Sequence, residues 1–417
     1  MITAKITLTE MLDSRERRAD KQRRLIETFN CALICFTMNI AGEVKRSSLT
    51  DFAFRCGESA IINKLGDPLY YEDCSSHTGN ESFFVYDNYT ASQLKHITES
   101  IEDGSPVGRL YDMDVLDAEQ NKLSRVSPRS CIVCNGTASV CARNREHGLN
   151  AVVDKTNSIL LSFASQELAR IAVESLIAEV HTTPKPGLVD ENNTGSHNDM
   201  DVSMFECSAN ALNDSFVQAT MAGLAGQPSF EALRQIGLCA EQAMNSATCG
   251  VNTHRGAIYS FVLLLYGYGR ALSFGSDPFE CVEVMCEGEL KRIVYGTNGE
   301  DVRLRYGANG AKAEAMRGFP TAREAAKLLA NNEPFSVLLW IISQTEDTNV
   351  LHRGGVEGLN FLRQECVRIW VMSAEQQKEA ALQLDKECIK RRISPGGSAD
   401  MLAMALFISK ADLFVSR

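Results

Sequence analysis

The sequence predicts a multidomain chain: an N-terminal α/β (or α+β) domain over residues 1–155, followed by an all-helical domain over 160–417. Three observations carry this. The chain has 417 residues, more than one hydrophobic core usually organises. Its first third mixes short apolar runs with amphipathic segments. From about Ser165 most segments keep a 3.6-residue apolar period, and strand signals nearly vanish. The boundary is placed between Gly148 and Ser165.

The elements follow in order. "TLTE" at Thr7–Glu10 fits a capping box that opens a helix carrying the basic run Arg15–Arg24. "CALICFTMNI" (Cys31–Ile40) is a short apolar run ending near a glycine turn, so a buried strand is expected. "ESFFVYDNY" and "VGRLYDMDVLD" read as further strands. In the second part, Leu168, Ile171, Ala172 and Leu176 share one helical face, as do Leu233, Ile236, Ala240 and Met244. "GAIYSFVLLLYGYG" (Gly256–Gly269) is too short to span a bilayer, which takes about 20 residues. It reads as a buried core helix.

Composition narrows the function classes. Hydrophobic content of 44% and charged content of 23% are ordinary for a soluble protein. A formal charge of -11 without a long basic block argues against nucleic acid as a partner, but leaves room for a local phosphate pocket. The N-terminus lacks the apolar core of a signal peptide. Fourteen cysteines then point to reduced thiols in a cytoplasmic chain without a membrane partner.

Two constellations stand out in the first part. Asp112 and Asp114, two apart on a predicted strand, aim at the same face. Crowded carboxylates repel unless a proton or cation lies between them, so the pair suits Mg²⁺ and a phosphate substrate; a solvated strand face is the alternative. Cys131, Cys134, Cys141 and His147 have the spacing C-x2-C-x6-C-x5-H. Thiolates and imidazole suit a structural Zn²⁺, against plain reduced cysteines near a turn. Lys45 and Arg46 form a basic turn, and Arg15–Arg24 a basic helix face able to dock an acidic partner.

The helical part carries polar loops at helix starts. "GVNTHRGA" places Asn252, His254 and Arg255 in or near a first turn, where free N–H groups favour anions. "EDTNVLHRGG" combines Asp347, Asn349, His352 and Arg353 before two glycines. In "RISPGGSAD", Ser394, Gly396 and Gly397 belong to a tight turn, and Ser398 is expected to cap the next helix. Asp400 would stand beside an anion held there, which calls for a bridging Mg²⁺; a helix-favouring Asp is the alternative. "PKPGLVDENNTGSHNDMD" (Pro184–Asp201) is equally polar. Neither G-x-x-x-x-G-K-[ST] nor G-x-G-x-x-G occurs.

These motifs, in this order, resemble a family pair. "PKPGLVD", "GSHNDMD", "ATCGVNTHRGAI", "GAKAEA", "DTN" with "RGG", and "ISPGGSAD" are similar to triphosphoribosyl-dephospho-CoA synthases. "GRLYDMDVLD", "LSR" at Leu123–Arg125, and C-x2-C followed by "VCAR" and His147 resemble apo-citrate lyase phosphoribosyl-dephospho-CoA transferases. Together they cover nearly the whole chain, as in a fused, bifunctional enzyme. The chain departs from the family in "AGEV" before Lys45, in Lys312 and Ala313 for arginine and glycine, and in Arg392 for asparagine.

The resemblance implies a nucleotidyltransferase-like first domain and specific chemistry. ATP and 3'-dephospho-CoA would give the triphosphoribosyl derivative and adenine. A serine of the apo acyl-carrier (gamma) subunit of citrate lyase would then accept the phosphoribosyl-dephospho-CoA group, releasing pyrophosphate. Lys185, Arg255, Lys312, Arg353 and the Ser394–Ser398 turn would hold the triphosphate with Mg²⁺. His197, His254 and Asp199 are the candidates for proton transfer. Asp190, Asp201, Asp347 and Asp400 are candidate metal ligands in the helical part, as Asp112 and Asp114 are in the first. Two rival readings stay open: a Mg²⁺-dependent ribosyl or nucleotide hydrolase, and a non-enzymatic zinc-organised adaptor.

Overall fold

The computed structural model of the chain describes residues 5–287, 302, 305–306 and 310–415. The chain divides into two compact units, Met1–Ala164 and Ser165–Arg417.

The first unit is built on a small antiparallel sheet of four strands in the order β2-β3-β1-β4. The strands are β1 (Ala32–Met38), β2 (Tyr70–Asp73), β3 (Glu81–Tyr86) and β4 (Tyr111–Leu116). Period-two alternation splits the side chains between two faces. Ile34, Phe36, Phe84, Met113 and Val115 join a core with α2 (Ser48–Leu65) and α3 (Ala91–Asp103). Leu33, Cys35, Phe83, Val85 and Leu116 face α1 (Leu8–Phe29), which contributes Leu25 and Ile26. Burial on both faces explains why β1 is apolar from Ala32 to Phe36. The capping box forms at α1: Thr7 N donates to Glu10 Oε2 at 2.8 Å and Glu10 N to Thr7 Oγ1 at 3.3 Å. The strand expected from Val107 starts only at Tyr111. Pro106, with φ of -57°, opens a 3-10 turn over Val107–Leu110 instead. A short helix, α4 (Ala138–Asn144), follows the sheet.

Residues 149–180 form one helix, α5 (Leu149–Val180). The stretch "LNAVVDKTNSILLSF" carries no Gly or Pro to interrupt that helix. After it come α6 (Val202–Ala211), α7 (Asn213–Ala225), α8 (Phe230–Ala247), α9 (Arg255–Phe274) and α10 (Pro278–Met285). The remaining described helices are α11 (Gly310–Ala315), α12 (Pro320–Leu328), α13 (Pro334–Gln344), α14 (Thr348–Trp370), α15 (Ala374–Arg391) and α16 (Gly396–Val415). Among the described residues, no strand follows Leu116.

Helix α9 forms the core of this unit. It is long and apolar enough to cross a membrane, but 78% of its apolar window is buried. Phe216 of α7 stacks on Phe261 at 5.5 Å, and Phe407 of α16 meets Tyr268 edge-on at 5.1 Å. Burying each such ring contributes about 1.5–3 kcal/mol. The backbones of α7 and α9 also approach closely. A methyl added at Gly223 would overlap the Tyr266 carbonyl, and one at Gly269 the Thr220 carbonyl. The glycines of "YGYG" thus serve packing.

Candidate functional site: two charged clefts

The polar loops of the helical unit line one cleft of about 860 Å³. Lys185, His197 and Asp199 come from the loop after α5, and Asn252, His254 and Arg255 from the start of α9. Asp347 and Arg353 come from the start of α14, and Ser394, Gly396, Gly397 and Asp400 from the start of α16. Three helix N-termini therefore converge on one space, with part of their first-turn N–H groups engaged by Asn252 and Asp347. The glycines permit close approach. A methyl at Gly256 would strike Asp400 Oδ2, one at Gly396 would lie 2.8 Å from Asn349 Nδ2, and one at Gly397 would lie 3.2 Å from Asp347 Oδ2.

Asp347 is fully engaged. Its Oδ1 accepts from Asn349 N at 2.9 Å and Val350 N at 3.3 Å, and its Oδ2 from Ser398 N at 2.7 Å and Ser398 Oγ at 2.9 Å. Four donors fill the acceptor sites of a carboxylate. Asp347 thus ties α14 to α16, and Ser398 lies within α16's first turn rather than capping it, because the helix already begins at Gly396. Asp400 is the opposite case. Among the described residues it accepts no hydrogen bond from the protein. Burial, then Glu179 and Asp347, push its carboxyl well above the ordinary range. Burial likewise raises Asp347, against the pull of its four donors.

The histidines differ too. His254 is 3% exposed, and burial with the nearby Lys185 charge lowers it to about 3, so its imidazole is neutral. Thr253 Oγ1 donates to Ser208 Oγ at 2.7 Å, and Ser208 Oγ lies 2.7 Å from His254 Nδ1. Ser208 then donates its own proton to Nδ1, which leaves the proton of the ring on Nε2. That Nε2, and Ser260 Oγ beside the same cleft, are buried with no partner among the described residues. His197 Nε2 lies 2.8 Å from Ser394 Oγ, and burial with Arg353 lowers its pKa. Lys185 is 2% exposed, with Nζ bonded to Glu179 Oε1 at 2.7 Å and Glu179 O at 3.0 Å. Asn252 Oδ1 accepts from Arg255 N at 3.2 Å, at the residue where α9 begins.

Four of the residues singled out in the sequence do not line this cleft. Buried Asp190 folds its own loop, accepting from Lys185 N at 2.9 Å and Asn192 N at 2.8 Å. Asp201 caps α6 through Met204 N at 2.9 Å. Ser398 is spent on Asp347, and Lys312 lies on α11 between the lining residues Ala311 and Ala313. Sequence reasoning missed Glu179 and Glu314, which do line it. Glu179 had a signal: it continues the apolar stripe of Leu168, Ala172 and Leu176, where a charge needs a partner.

The first unit has its own cleft of about 940 Å³. Arg15, Arg18, Lys45, Arg109, Arg129 and Arg145 line it with one carboxylate, Asp112. Asp112 and Asp114 do share a face of β4, opposite Thr37 and Cys35 of β1. Asp112 is raised by burial and by Asp114. Asp114 is paired with Lys122 at 2.5 Å and does not line the cleft. Lys45 Nζ donates to Ile40 O. Cys131, Cys134, Cys141 and His147 come together, with one ligand-type atom each and all four within 4.8 Å of one another.

Comparison with known proteins matches both parts. Residues 6–163 match the family described as CitX, apo-citrate lyase phosphoribosyl-dephospho-CoA transferase. Residues 165–416 match CitG, ATP:dephospho-CoA triphosphoribosyl transferase. Protein CitXG of Haemophilus influenzae is 34% identical over 97% of this chain and 96% of its own length. Protein CitXG of Leuconostoc mesenteroides is 28% identical, covering 97% of each. The 2-(5''-triphosphoribosyl)-3'-dephosphocoenzyme-A synthase of Klebsiella pneumoniae is 38% identical over 59% of this chain and 91% of its own. Matched in each part and along nearly its whole length, the chain belongs to the fused CitXG family of transferases.

Proposed function

We propose that the chain makes and then attaches the prosthetic group of citrate lyase, as a soluble, cytoplasmic enzyme. In the helical unit, the ribose 2'-hydroxyl of 3'-dephospho-CoA displaces adenine from C1' of ATP, leaving the triphosphate intact. The observation that carries this reading is the cleft itself: three helix N-termini and Arg353 face one space beside a half-buried carboxylate that no protein donor satisfies. Asp400, with Glu179 near it, fits a divalent cation by donor chemistry. Bound Mg²⁺ would supply charge neutralisation for the polyphosphate. The chain's residues do the rest. Arg353, Arg255 and the Ser394–Gly397 turn hold phosphate oxygens, and His254 Nε2–H donates to the purine edge. The neutral, buried imidazole is a poor base, so Asp199, exposed on the rim, takes the 2'-hydroxyl proton.

In the first unit, a serine hydroxyl of the apo acyl-carrier subunit attacks the α-phosphorus of that product and pyrophosphate leaves. The arginine-lined cleft supports this, since phosphate groups need such forked donors. Its fold we read as nucleotidyltransferase-like, with Asp112, backed by Asp114, as the Mg²⁺ ligand. The Cys131–His147 group we read as a structural zinc site.

The deciding experiment supplies the chain with ATP, Mg²⁺ and 3'-dephospho-CoA and identifies the purine released. Free adenine that depends on dephospho-CoA is expected. Adenine or ribose without the second substrate would identify a hydrolase, and ADP or AMP would sink the proposal.

A further inference from the structure

The cysteine cluster is built as a knuckle. Cys134 Sγ lies 3.6 Å from Cys141 Sγ and 3.2 Å from His147 Nε2. Donors about 2.0–2.3 Å from a tetrahedral zinc stand roughly 3.3–3.8 Å apart, so these spacings need little adjustment. The backbone turns back on itself around Cys131. Cys131 N donates to Gly136 O at 2.5 Å, Asn135 N to Cys131 O at 3.1 Å, and Val133 N to Cys131 Sγ at 3.4 Å. A backbone N–H aimed at sulfur suits a thiolate ligand. Asn135 takes a left-handed φ of 61°, and a methyl at Gly136 would lie 3.4 Å from Cys134 Sγ.

The same knuckle holds part of the basic cleft. Ser130, next to the first cysteine, accepts from Arg109 Nη2 through its carbonyl. Ser130 also bridges Thr137, and Ala138 N donates to Arg129 O at 2.9 Å. Arg129 Nη1 reaches Tyr111 O at 2.6 Å, and its Nη2 pairs with Glu102. Arg109 and Arg129 both line the cleft with Asp112. Arg109 Nε is buried and has no partner among the described residues, so a donor is left for an anion.

We propose that one structural zinc, held by Cys131, Cys134, Cys141 and His147, fixes the Ser130 carbonyl and thereby aims Arg109 at the phosphates of the transferase substrate. Arg109 is the binding group, and the knuckle is its positioning device. The identity of the anion rests on the transferase reading above; the metal site does not.

The test uses the full chain purified without chelators. Metal analysis is expected to find one zinc per chain in the wild type and in Arg109→Ala, and little in the Cys134→Ser/Cys141→Ser double variant. Cobalt in place of zinc should show a thiolate-to-metal charge-transfer band and tetrahedral d–d bands. Both variants should raise the KM for the purified triphosphoribosyl donor on the order of tenfold, with a much smaller change in kcat. Adenine release by the same preparations should be unchanged, which reports a folded chain. A wild type without zinc overturns the proposal, as does a zinc-free double variant with the wild-type KM. A wild type that binds zinc but modifies no carrier would refute the transferase reading while leaving the metal site standing.

Discussion

The two clefts are charged in opposite styles. The cleft of the first unit has six basic side chains and one aspartate, whereas that of the helical unit mixes five basic side chains (Lys185, Arg255, Arg317, Arg353 and Arg363) with six carboxylates (Glu179, Asp199, Glu314, Glu346, Asp347 and Asp400). An arginine-lined cleft neutralises an anion with the protein's own charges. A cleft whose cations are matched by carboxylates leaves a polyphosphate in need of an added cation. The difference teaches where each unit is most fragile: the helical unit at its unsatisfied carboxylate, the first unit at its long basic side chains.

The largest expected effect follows from that contrast. Asp400→Asn should lower adenine release by on the order of 10²–10³-fold, the usual cost of removing one preorganised charge-stabilising group. The same change should raise the melting temperature at neutral pH. A carboxyl whose folded pKa is raised supports the fold best below its unfolded value, near 3.9, and loses that support as pH climbs through the folded value. Mg²⁺ should stabilise the wild type to heat and the variant much less. Lower activity together with lower stability would mean that Asp400 is merely structural. Asp112→Asn should cut carrier modification, followed by mass, by about 10²-fold while adenine release continues. Unchanged transfer would remove Asp112 from the metal site.

A smaller effect probes the cleft's shape. Gly256→Ala puts a methyl into Asp400 Oδ2. Displacing that oxygen should cost adenine release roughly 10-fold or more, since small misplacements near reacting groups are expensive. Stability should fall by about 1–3 kcal/mol, as for other overpacked sites. Near-normal turnover in Gly256→Ala would show that Asp400 need not stand where it does.

The same contrast explains what the sequence could reveal. The helical cleft gathers short contiguous motifs, because each loop ends in a helix N-terminus that faces the same space. Glycines at Gly256, Gly396 and Gly397 mark those approaches locally. Asp347 shows the limit: its spacing fits a ligand, but only the fold reveals that Ser398, 51 residues away, consumes it. The basic cleft was far less legible. Arg18 on α1, Lys45 before α2, and Arg109 and Arg129 on either side of β4 meet only through the sheet order β2-β3-β1-β4. Each one alone reads as a solvated charge. The Cys/His group was legible because its members lie within 17 residues, Cys131 to His147. Arg392 illustrates a departure with a physical reading. It ends α15 at φ 56° and ψ 34°, a left-handed conformation that an asparagine would adopt more readily.

The smallest effect concerns the loop that carries Lys185 and His197. His181, at the loop's start, lies 2.9 Å from Glu191 Oε1 and 2.7 Å from Glu206 Oε1. Hydrogen bonds to Glu191 and then Glu206 raise its pKa, with burial opposing weakly. A histidine raised in the folded state stabilises fully below its unfolded value, near 6.5, and that support is lost as pH rises through the folded value. The clasp is solvent-accessible, so its contribution is at most about 1 kcal/mol and should weaken in salt. The wild-type melting temperature should therefore drop slightly between mildly acidic and mildly alkaline pH, by roughly 2–4 °C at most. His181→Gln should flatten that part of the profile and leave adenine release near normal. If the variant loses turnover as severely as Asp400→Asn, the clasp belongs to the chemistry of the cleft rather than to the loop that frames it.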